Sequence, residues 1–158
     1  MHKKPADMRI ALFEPEIAGN VGAVLRLGAC MGVAVDLIEP LGFAWDDRRV
    51  RRTAMDYIDH VEVERHADFD AFEASRPDAR LVLFTSKATL SPYDHAFNPT
   101  DILLFGKESA GVSLYVAARC AVHLRIPMRK EVRSLNLATS AAIALGEALR
   151  QTGQTPPA

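Results

Sequence analysis

The sequence predicts a single α/β domain built on a parallel sheet whose two faces are covered by helices. The chain has 158 residues, the usual size of one compact domain. Along residues 8–151, short apolar runs alternate with segments of helical periodicity. Two of the runs read RLVLFT (residues 80–85) and ILLF (residues 102–105), and continuous apolar runs of this kind are typical of strands buried on both faces.

Each element has its own local signal. After a turn at residues 14–19, apolar side chains recur at helical spacing from Val21 to Leu27. Asp68 and Ser134 stand where the N-caps of two further helices are expected. The predicted strands are residues 8–13, 34–38, 61–63, 80–85, 102–105 and 121–126, and the predicted helices are residues 20–32, 48–56, 68–74 and 135–150.

One domain accounts for residues 8–151, because no repeat, linker or low-complexity tract interrupts them. Residues 1–7 and 152–158 are expected to be flexible ends. No stretch approaches the roughly 20 apolar residues of a membrane helix. The first residues, MHKKPAD, lack the apolar core of a signal peptide. We therefore expect a cytoplasmic protein with no membrane partner.

Composition excludes several classes of protein. With 49% hydrophobic and 25% charged residues, the chain is too apolar for intrinsic disorder. Its net charge of −1 shows no overall basic character of the kind that marks many polyanion binders. Cys30 and Cys120 lie far apart in apolar segments and are expected to be buried free thiols. The five histidines show no metal-ligand spacing, so no metal is expected.

Common nucleotide and hydrolase motifs do not fit. The GNVG segment at residues 19–22 lacks the G-x-G-x-x-G spacing of a dinucleotide fold. The segment starting GKES at Gly106 lacks the first glycine of a P-loop, since Asp101 stands in its place. Lys107 likewise replaces the first glycine of a nucleophile elbow.

Two short stretches are rich in arginine: DDRRVRR at residues 46–52 and RIPMRKEVR at residues 125–133. Arginine is favoured where phosphate is bound through a planar, bidentate contact. A solvated charged face is the alternative interpretation of either stretch.

Three polar loops follow apolar strands, and ligands of parallel sheets bind at the carboxyl ends of strands. The first carries Asn20 and Arg26, where Arg26 could serve a ligand or form an ion pair with Glu14 or Glu16. The second, residues 103–111, combines a glycine that permits close backbone approach with Glu108. The third, residues 126–142, ends in a helix N-terminus suited to an anion.

In this order the three loops resemble the three motifs of the SPOUT superfamily of RNA methyltransferases. The likeness is closest to the tRNA (cytidine/uridine-34) 2′-O-methyltransferase family, which modifies the wobble nucleotide. Its most family-specific part is IEPLGFAWDDRRVRR, while the glycine and R-S-L-N-L motifs are shared across the superfamily. The matching segments are residues 13–27, 38–57, 104–111 and 125–151.

The resemblance implies a C-terminal trefoil knot, a homodimer with its active site near the subunit boundary, and S-adenosyl-L-methionine as the methyl donor. It implies transfer of the methyl group to the ribose 2′-hydroxyl of the wobble nucleotide in the tRNA anticodon stem-loop. The alternative is a SPOUT enzyme that acts on another tRNA position or on rRNA, and a non-catalytic nucleotide-binding or RNA-chaperone module is a further one. The implied cofactor residues are Phe84, Thr85, Gly106, Ile126, Met128, Ser134, Leu135 and Asn136.

The family pattern also nominates Arg26 at the 2′-hydroxyl, with Asn20, Glu108, Ser134 and Asn136 holding Arg26 and the ribose. Because arginine stays protonated, we expect Arg26 to orient the hydroxyl or a phosphate rather than to accept a proton. Trp45 and Tyr57 are available to stack on a base. The first loop reads EPEIAGN, without the second proline of many relatives. The expected tRNA phosphate contacts are Arg48, Arg49, Arg51, Arg52 and Lys130.

Overall fold

The computed structural model describes residues 6–54, 57–132 and 134–158, with the side chains of residues 47, 51, 53 and 54 left out. Their strands are β1 (Arg9–Phe13), β2 (Ala34–Ile38), β3 (Val63–His66), β4 (Leu81–Phe84), β5 (Ile102–Phe105) and β6 (Val122–Leu124). Their helices are α1 (Ala18–Met31), α2 (Asp47–Ala54), α3 (Phe69–Ser75), α4 (Leu114–Ala118) and α5 (Leu137–Thr152). Short 3-10 turns lie at Tyr57–His60 and Pro92–Asp94.

The strands form one parallel sheet in the order β3-β2-β1-β5-β4-β6, which confirms the predicted fold class. The interior strands β4 and β5 are buried along their whole length, as their continuous apolar sequences predict. In the register, Phe105 lies beside Leu12 on one side and Phe84 on the other. Parallel pairing thus brings the carboxyl ends of these strands to one edge of the sheet.

Helices cover both faces of this sheet, as predicted. One core contains α1 and α5 with side chains such as Leu25 and Leu145. The other contains α3 and α4 with Phe72 and Val116. In α5 the small residues Ala141, Ala144 and Ala148 are fully buried in the first core. Small side chains of α5 therefore serve packing within the chain. No helix in the described ranges is long and apolar enough to cross a membrane.

Element boundaries differ from prediction at β3 and at the last helix. The third strand is Val63–His66 rather than residues 61–63. Its sequence VERH is mostly polar, so a search for runs of apolar residues does not detect it. The predicted N-cap Ser134 is wrong: Asn136 occupies the N-cap, and its side chain accepts a hydrogen bond from the Thr139 N–H. Asp68 caps α3 as predicted, by accepting from the Ala71 N–H.

Smaller differences concern helix ends and one cysteine. Helix α1 begins at Ala18, two residues earlier than predicted, and α4 was not predicted at all. The end of the predicted helix over residues 48–56 lies outside the described residues. Cys120 is buried, but Cys30 is exposed, so its predicted burial is wrong. The trefoil knot stays a prediction from the resemblance.

A buried ionic network ties β1, β2 and β3 to the end of α3. Asp36 has no exposed surface, and its carboxylate accepts hydrogen bonds from Arg9 Nε at 2.7 Å and Arg9 Nη2 at 3.0 Å. His66 Nε2 lies 2.9 Å from the same carboxylate, and Arg76 Nη2 pairs with Glu64 at 2.5 Å. Asp36, Glu64 and His66 form the one metal-type cluster found among the described residues. Both of its carboxylates already face arginines.

Replacing Asp36 should expose how much this network contributes to stability. We expect Asp36→Ala to lower the free energy of unfolding by about 3 kcal/mol or more, because the largely buried Arg9 would lose both hydrogen bonds to its buried partner and keep only longer contacts to exposed glutamates. Chemical denaturation measures this change. Glu62→Ala is the matched control: Glu62 is 72% exposed and 3.9 Å from Arg9, so its loss should cost less than about 1 kcal/mol. Equal losses for the two variants would contradict the argument.

Candidate active site

A cavity of about 890 Å³ opens at the carboxyl edge of the sheet. Its volume is in the usual range for a site that binds a small molecule or cofactor. The loops after β4 and β5 and the segment before α5 form its walls, and Ile17 and Asn20 of the first loop reach its rim. The three loops that the sequence singled out all contribute, and the loop after β4 joins them. Every predicted cofactor residue lines the cavity: Phe84, Thr85, Gly106, Ile126, Met128, Ser134, Leu135 and Asn136.

The floor of the cavity is apolar. The rings of Phe84 and Phe105 stack with their centroids 5.0 Å apart and their planes 12° from parallel. Both side chains are more than nine-tenths buried, and so is Ile126. Because the two phenylalanines end neighbouring strands, the sheet register itself builds this floor.

The loop after β5 folds back on itself, and Gly106 makes this possible. A Cβ atom at Gly106 would lie 2.5 Å from the Gly111 backbone. The Lys107 N–H donates to the Gly111 carbonyl at 3.0 Å, and the Gly111 N–H donates back at 2.9 Å. Gly111 itself has a φ of 68°, in the left-handed region that favours glycine. Because Gly106 has no side chain, the two ends of this loop can approach each other, and the backbone at Gly106 is open to the cavity.

Glu108 at the tip of this loop caps helix α1. Its carboxylate accepts hydrogen bonds from the backbone N–H of Glu16 at 3.0 Å and of Ile17 at 2.9 Å. It also accepts from Asn20 Nδ2 at 3.2 Å. The N-cap residue Ile17 has no side chain able to cap. A carboxylate from a loop far away in the sequence therefore satisfies the helix N-terminus, where negative charge is favoured.

Glu16 makes a reciprocal link that sequence reasoning missed. Its carboxylate accepts a hydrogen bond from the Ser109 N–H at 2.8 Å. Hydrogen bonds from the side chain and backbone of Ser109 lower the pKa of Glu16 below its usual value, and the charge of Lys107 adds to this. Lys107 Nζ also lies 3.6 Å from a Glu14 oxygen. The two glutamates of the EPE segment, residues 14–16, were the sequence feature that could have indicated this contact.

Asn136 joins the third loop to the other two. Its Nδ2 lies 3.4 Å from Asn20 Oδ1 as a hydrogen-bond donor, while its own Oδ1 caps α5. Asn20 in turn donates to Glu108. One chain of hydrogen bonds, Glu108–Asn20–Asn136, therefore crosses the rim of the cavity and connects all three loops. Ser134 lines the same cavity.

The lining fits a nucleoside cofactor that also carries a carboxylate. Stacked phenylalanine rings and Ile126 offer an apolar slot for a purine. Lys87, Lys107 and Arg125 line the cavity and offer cationic partners for a carboxylate. Hydroxyl and amide side chains at Thr85, Ser134 and Asn136 can bind a ribose.

Arg26 does not reach this cavity. It is exposed on α1. Six residues separate it from Asn20, which in a helix corresponds to roughly 9 Å along the axis and about 240° around it. Its Cζ atom lies 5.0 Å from the centre of the Tyr57 ring. Glu14 and Glu16, the ion-pair partners considered from the sequence, contact Lys107 and the Ser109 N–H.

The predicted RNA-binding residues lie away from the cavity. Arg48, Arg49 and Arg52 are exposed on α2, and Lys130 is exposed in the third loop. The side chain of Arg51 is outside the described part of the structure. Two rings predicted to stack on a base each carry an arginine on one face: Arg26 lies over Tyr57, and Arg65 lies 4.8 Å from the centre of Trp45.

The fold and site together define a class: a parallel α/β protein whose three loops close a cofactor-sized cavity at the carboxyl edge of its sheet. The chain matches the SpoU rRNA Methylase family over residues 7–146. It belongs to this family.

Similar proteins extend over nearly the whole chain. A tRNA (cytidine(34)-2′-O)-methyltransferase of Beijerinckia indica is 49% identical over 146 residues, which cover 91% of each chain. One of Escherichia coli K12 is 39% identical over 148 residues, covering 92% of this chain and 94% of its own. Family membership predicted from the motifs is confirmed.

Solved structures give the same result. A structure from work on the 2-OH methylation of C/U34 on tRNA superposes with a TM-score of 0.86 at 40% identity, covering 91% of this chain and 95% of that one. The SpoU methyltransferase AviRb of Streptomyces viridochromogenes in complex with AdoMet has a TM-score of 0.78 at 26% identity, covering 92% of this chain and 61% of its own.

The Glu16–Ser109 link should be pH-dependent. Because the folded-state pKa of Glu16 lies below its unfolded value, its contribution to stability is present above the unfolded pKa and is lost as the pH falls through the folded pKa. We expect wild type to lose more stability than Glu16→Gln between pH 5 and pH 3, as measured by urea denaturation at each pH. Parallel stability curves for the two proteins would contradict this.

Proposed function

We propose that this protein is a tRNA (cytidine(34)-2′-O)-methyltransferase that transfers a methyl group from S-adenosyl-L-methionine to the ribose 2′-hydroxyl of the wobble nucleotide, C or a modified U. The observation that carries this proposal is the Glu108–Asn20–Asn136 chain of hydrogen bonds across the mouth of the cavity. Relatives that carry out this reaction at 39% and 49% identity support the choice of substrate.

S-adenosyl-L-methionine supplies an electrophilic methyl group when bound. Phe84, Ile126 and Leu135 would hold its adenine in the apolar slot, with Thr85, Gly106 and Met128 closing around it. Ser134 and Asn136 would contact its ribose or the ribose of the RNA. An enclosed, largely apolar floor excludes water from the methyl group, so that the RNA hydroxyl is the nucleophile that reaches it.

The chemistry is a direct displacement. The bound cofactor would supply its methyl group to the 2′-oxygen and leave as the neutral thioether, and the hydroxyl proton would pass to a phosphate oxygen or water. Most of the acceleration comes from alignment of the two groups. Asn20 and Glu108 hold the loops that align them, and Arg26 orients the hydroxyl or its neighbouring phosphate.

A homodimer reconciles the position of Arg26 with this role. In one chain, Arg26 lies on a different face of α1 from Asn20 and outside the cavity. A second copy packed near α1 can present its Arg26 to the first copy's cavity, which would make the active site a shared one. The small side chains of α5 that face away from the core, among them Gly146, leave room for close contact between subunits.

The basic helix α2 is the proposed contact surface for the anticodon stem-loop. Arg48, Arg49 and Arg52 extend from it into solvent, while Val50 anchors it to the core. Lys130 adds a cation on the third loop. We propose a cytoplasmic location for the protein, which action on tRNA supports.

The direct test is methylation of total tRNA from a strain that lacks this protein, with labelled S-adenosyl-L-methionine and nucleoside mapping. Label on a 2′-O-methylated wobble pyrimidine is the expected result. Label at another tRNA position or in rRNA would overturn the substrate and keep the chemistry. Failure to bind the cofactor, measured by calorimetry, would overturn the enzymatic function itself.

Arg26→Ala should abolish turnover and leave cofactor affinity within about twofold of wild type, because Arg26 is proposed to orient the RNA hydroxyl or phosphate and is not among the residues proposed to hold the cofactor. We expect a fall in kcat of about 100-fold or more, the scale of a lost positioning group. Single-turnover methylation measures kcat, and calorimetry measures cofactor affinity. Arg119→Ala is the control, since Arg119 already pairs with Glu73. Undiminished turnover in Arg26→Ala would remove Arg26 from the mechanism.

Replacing Arg51 and Arg52 together with alanine should weaken tRNA binding and reduce its salt dependence. Each lost phosphate contact lowers the slope of log K against log salt by about 0.7 to 0.9. Filter binding between 50 and 200 mM salt, concentrations over which such contacts change affinity strongly, measures both effects. An unchanged slope would show that α2 does not contact phosphates.

A further inference from the structure

Two large apolar side chains are exposed where they border the cavity. Ile17 is 51% exposed and Leu114 is 86% exposed, and both belong to the lining of the cavity. A single exposed leucine or isoleucine is ordinary on a protein surface, whereas exposed apolar side chains that meet at one polar-rimmed cavity are typical of a binding surface. Ile17 is the N-cap residue of α1, and Leu114 is the first residue of α4. We refer to these two residues as the apolar pair.

The backbone that carries the apolar pair is held by hydrogen bonds. The Ile17 N–H donates to Glu108 at 2.9 Å, which ties the first loop to the second. Leu114 follows Ser113, whose hydroxyl caps α4 by accepting from the Val116 N–H at 3.3 Å. The positions of both exposed side chains are therefore set by the loops that form the rim of the cavity.

The polar groups beside the apolar pair indicate what it contacts. The Glu108 carboxylate accepts hydrogen bonds from the Ile17 N–H and from the side-chain amide of Asn20, so Ile17 lies next to the groups proposed to align the ribose. In a nucleotide, the base is attached to C1′, the neighbour of the carbon that bears the 2′-hydroxyl. A ribose held for methyl transfer therefore places its own base beside the same rim.

We propose that Ile17 and Leu114 contact the pyrimidine base of the nucleotide whose ribose is methylated, and thereby help to hold that nucleotide at the cavity. The rings of Trp45 and Tyr57, considered from the sequence for contact with a base, are not among the described residues that line this cavity. This inference rests on the proposed function and names contacts made to the base.

An apolar contact also suits the breadth of the proposed substrate. Aliphatic side chains pack against the face of a base and form no hydrogen bond with its edge, where cytosine and uracil differ. Contact with the face of a base is tolerant of its identity. Ile17 and Leu114 can therefore hold C and a modified U equally well.

The test removes the base and the apolar pair separately. Full-length tRNA ligated from synthetic pieces carries either cytosine or no base at the wobble position, and the 2′-hydroxyl is present in both. Wild type should methylate the abasic tRNA with a kcat/KM about tenfold lower, the scale of one contact with a base. In the double variant Ile17→Ala, Leu114→Ala, kcat/KM should fall about tenfold for the cytosine tRNA and stay within about twofold for the abasic tRNA.

Two further variants control this test. Leu90→Ala is the matched control, because Leu90 is 42% exposed and is not among the residues that line the cavity; its kcat/KM should match wild type on both tRNAs. Leu114→Ala alone keeps the test valid where the double variant folds poorly, because a side chain on a residue that is 86% exposed contributes little to the core. Alanine at Ile17 adds no oxygen that could cap α1 in place of Glu108.

The outcomes separate the base from other partners of the apolar pair. Equal kcat/KM of wild type for the two tRNAs overturns the proposal, and so does an equal loss in the double variant on both. Sedimentation velocity should give the same oligomeric state for wild type and the double variant; dissociation of the variant would overturn the proposal and assign the pair to an interface between copies. Failure of wild type to methylate any wobble nucleotide of natural tRNA would overturn the proposed function itself, whatever the apolar pair contacts.

Discussion

The candidate site depends on one carboxylate at the N-terminus of α1. Glu108 accepts hydrogen bonds from the backbone N–H groups of Glu16 and Ile17 and from the side-chain amide of Asn20. A single side chain therefore joins the second loop to the first loop and to the start of α1. Unpaired N–H groups at the start of a helix attract negative charge, and the side chain of the N-cap residue Ile17 has no polar atom to provide it. With Glu16 bonded back to Ser109, each of the two loops places a carboxylate on the backbone of the other.

This arrangement explains why the rim of the cavity is polar while its floor is apolar. The floor is built by the sheet, where Phe84 and Phe105 stack because their strands are in register. The rim is built by loops, whose backbone N–H groups need partners that strands would otherwise provide. Asn136 accepts a hydrogen bond from the Thr139 N–H and donates one to Asn20, so it caps a helix and also connects two loops. Recognition of an RNA ribose at this rim would then use groups whose positions the fold already fixes.

Sequence alone predicts what depends on apolar patterning and on local motifs. The parallel sheet, its two covered faces and the three loops follow from runs such as ILLF and from positions such as Asn20 and Glu108. Strand β3 could not be found in this way, because His66 is buried through its contact with Asp36, a partner 30 positions away. The contact between Arg26 and the Tyr57 ring could not be predicted either, because it depends on where the 57–61 segment packs against α1.

Helix α2 combines exposed arginines with a buried contact to the core. Of its described side chains, Val50 alone is buried, and Arg48, Arg49 and Arg52 are exposed. Where little apolar surface is buried, local opening costs little free energy; the described side chains of α2 include one buried residue, whereas α5 buries six along its length. If α2 is the contact surface for tRNA, as proposed, its arginines lie on an element that can adjust to the shape of the RNA at a low free-energy cost.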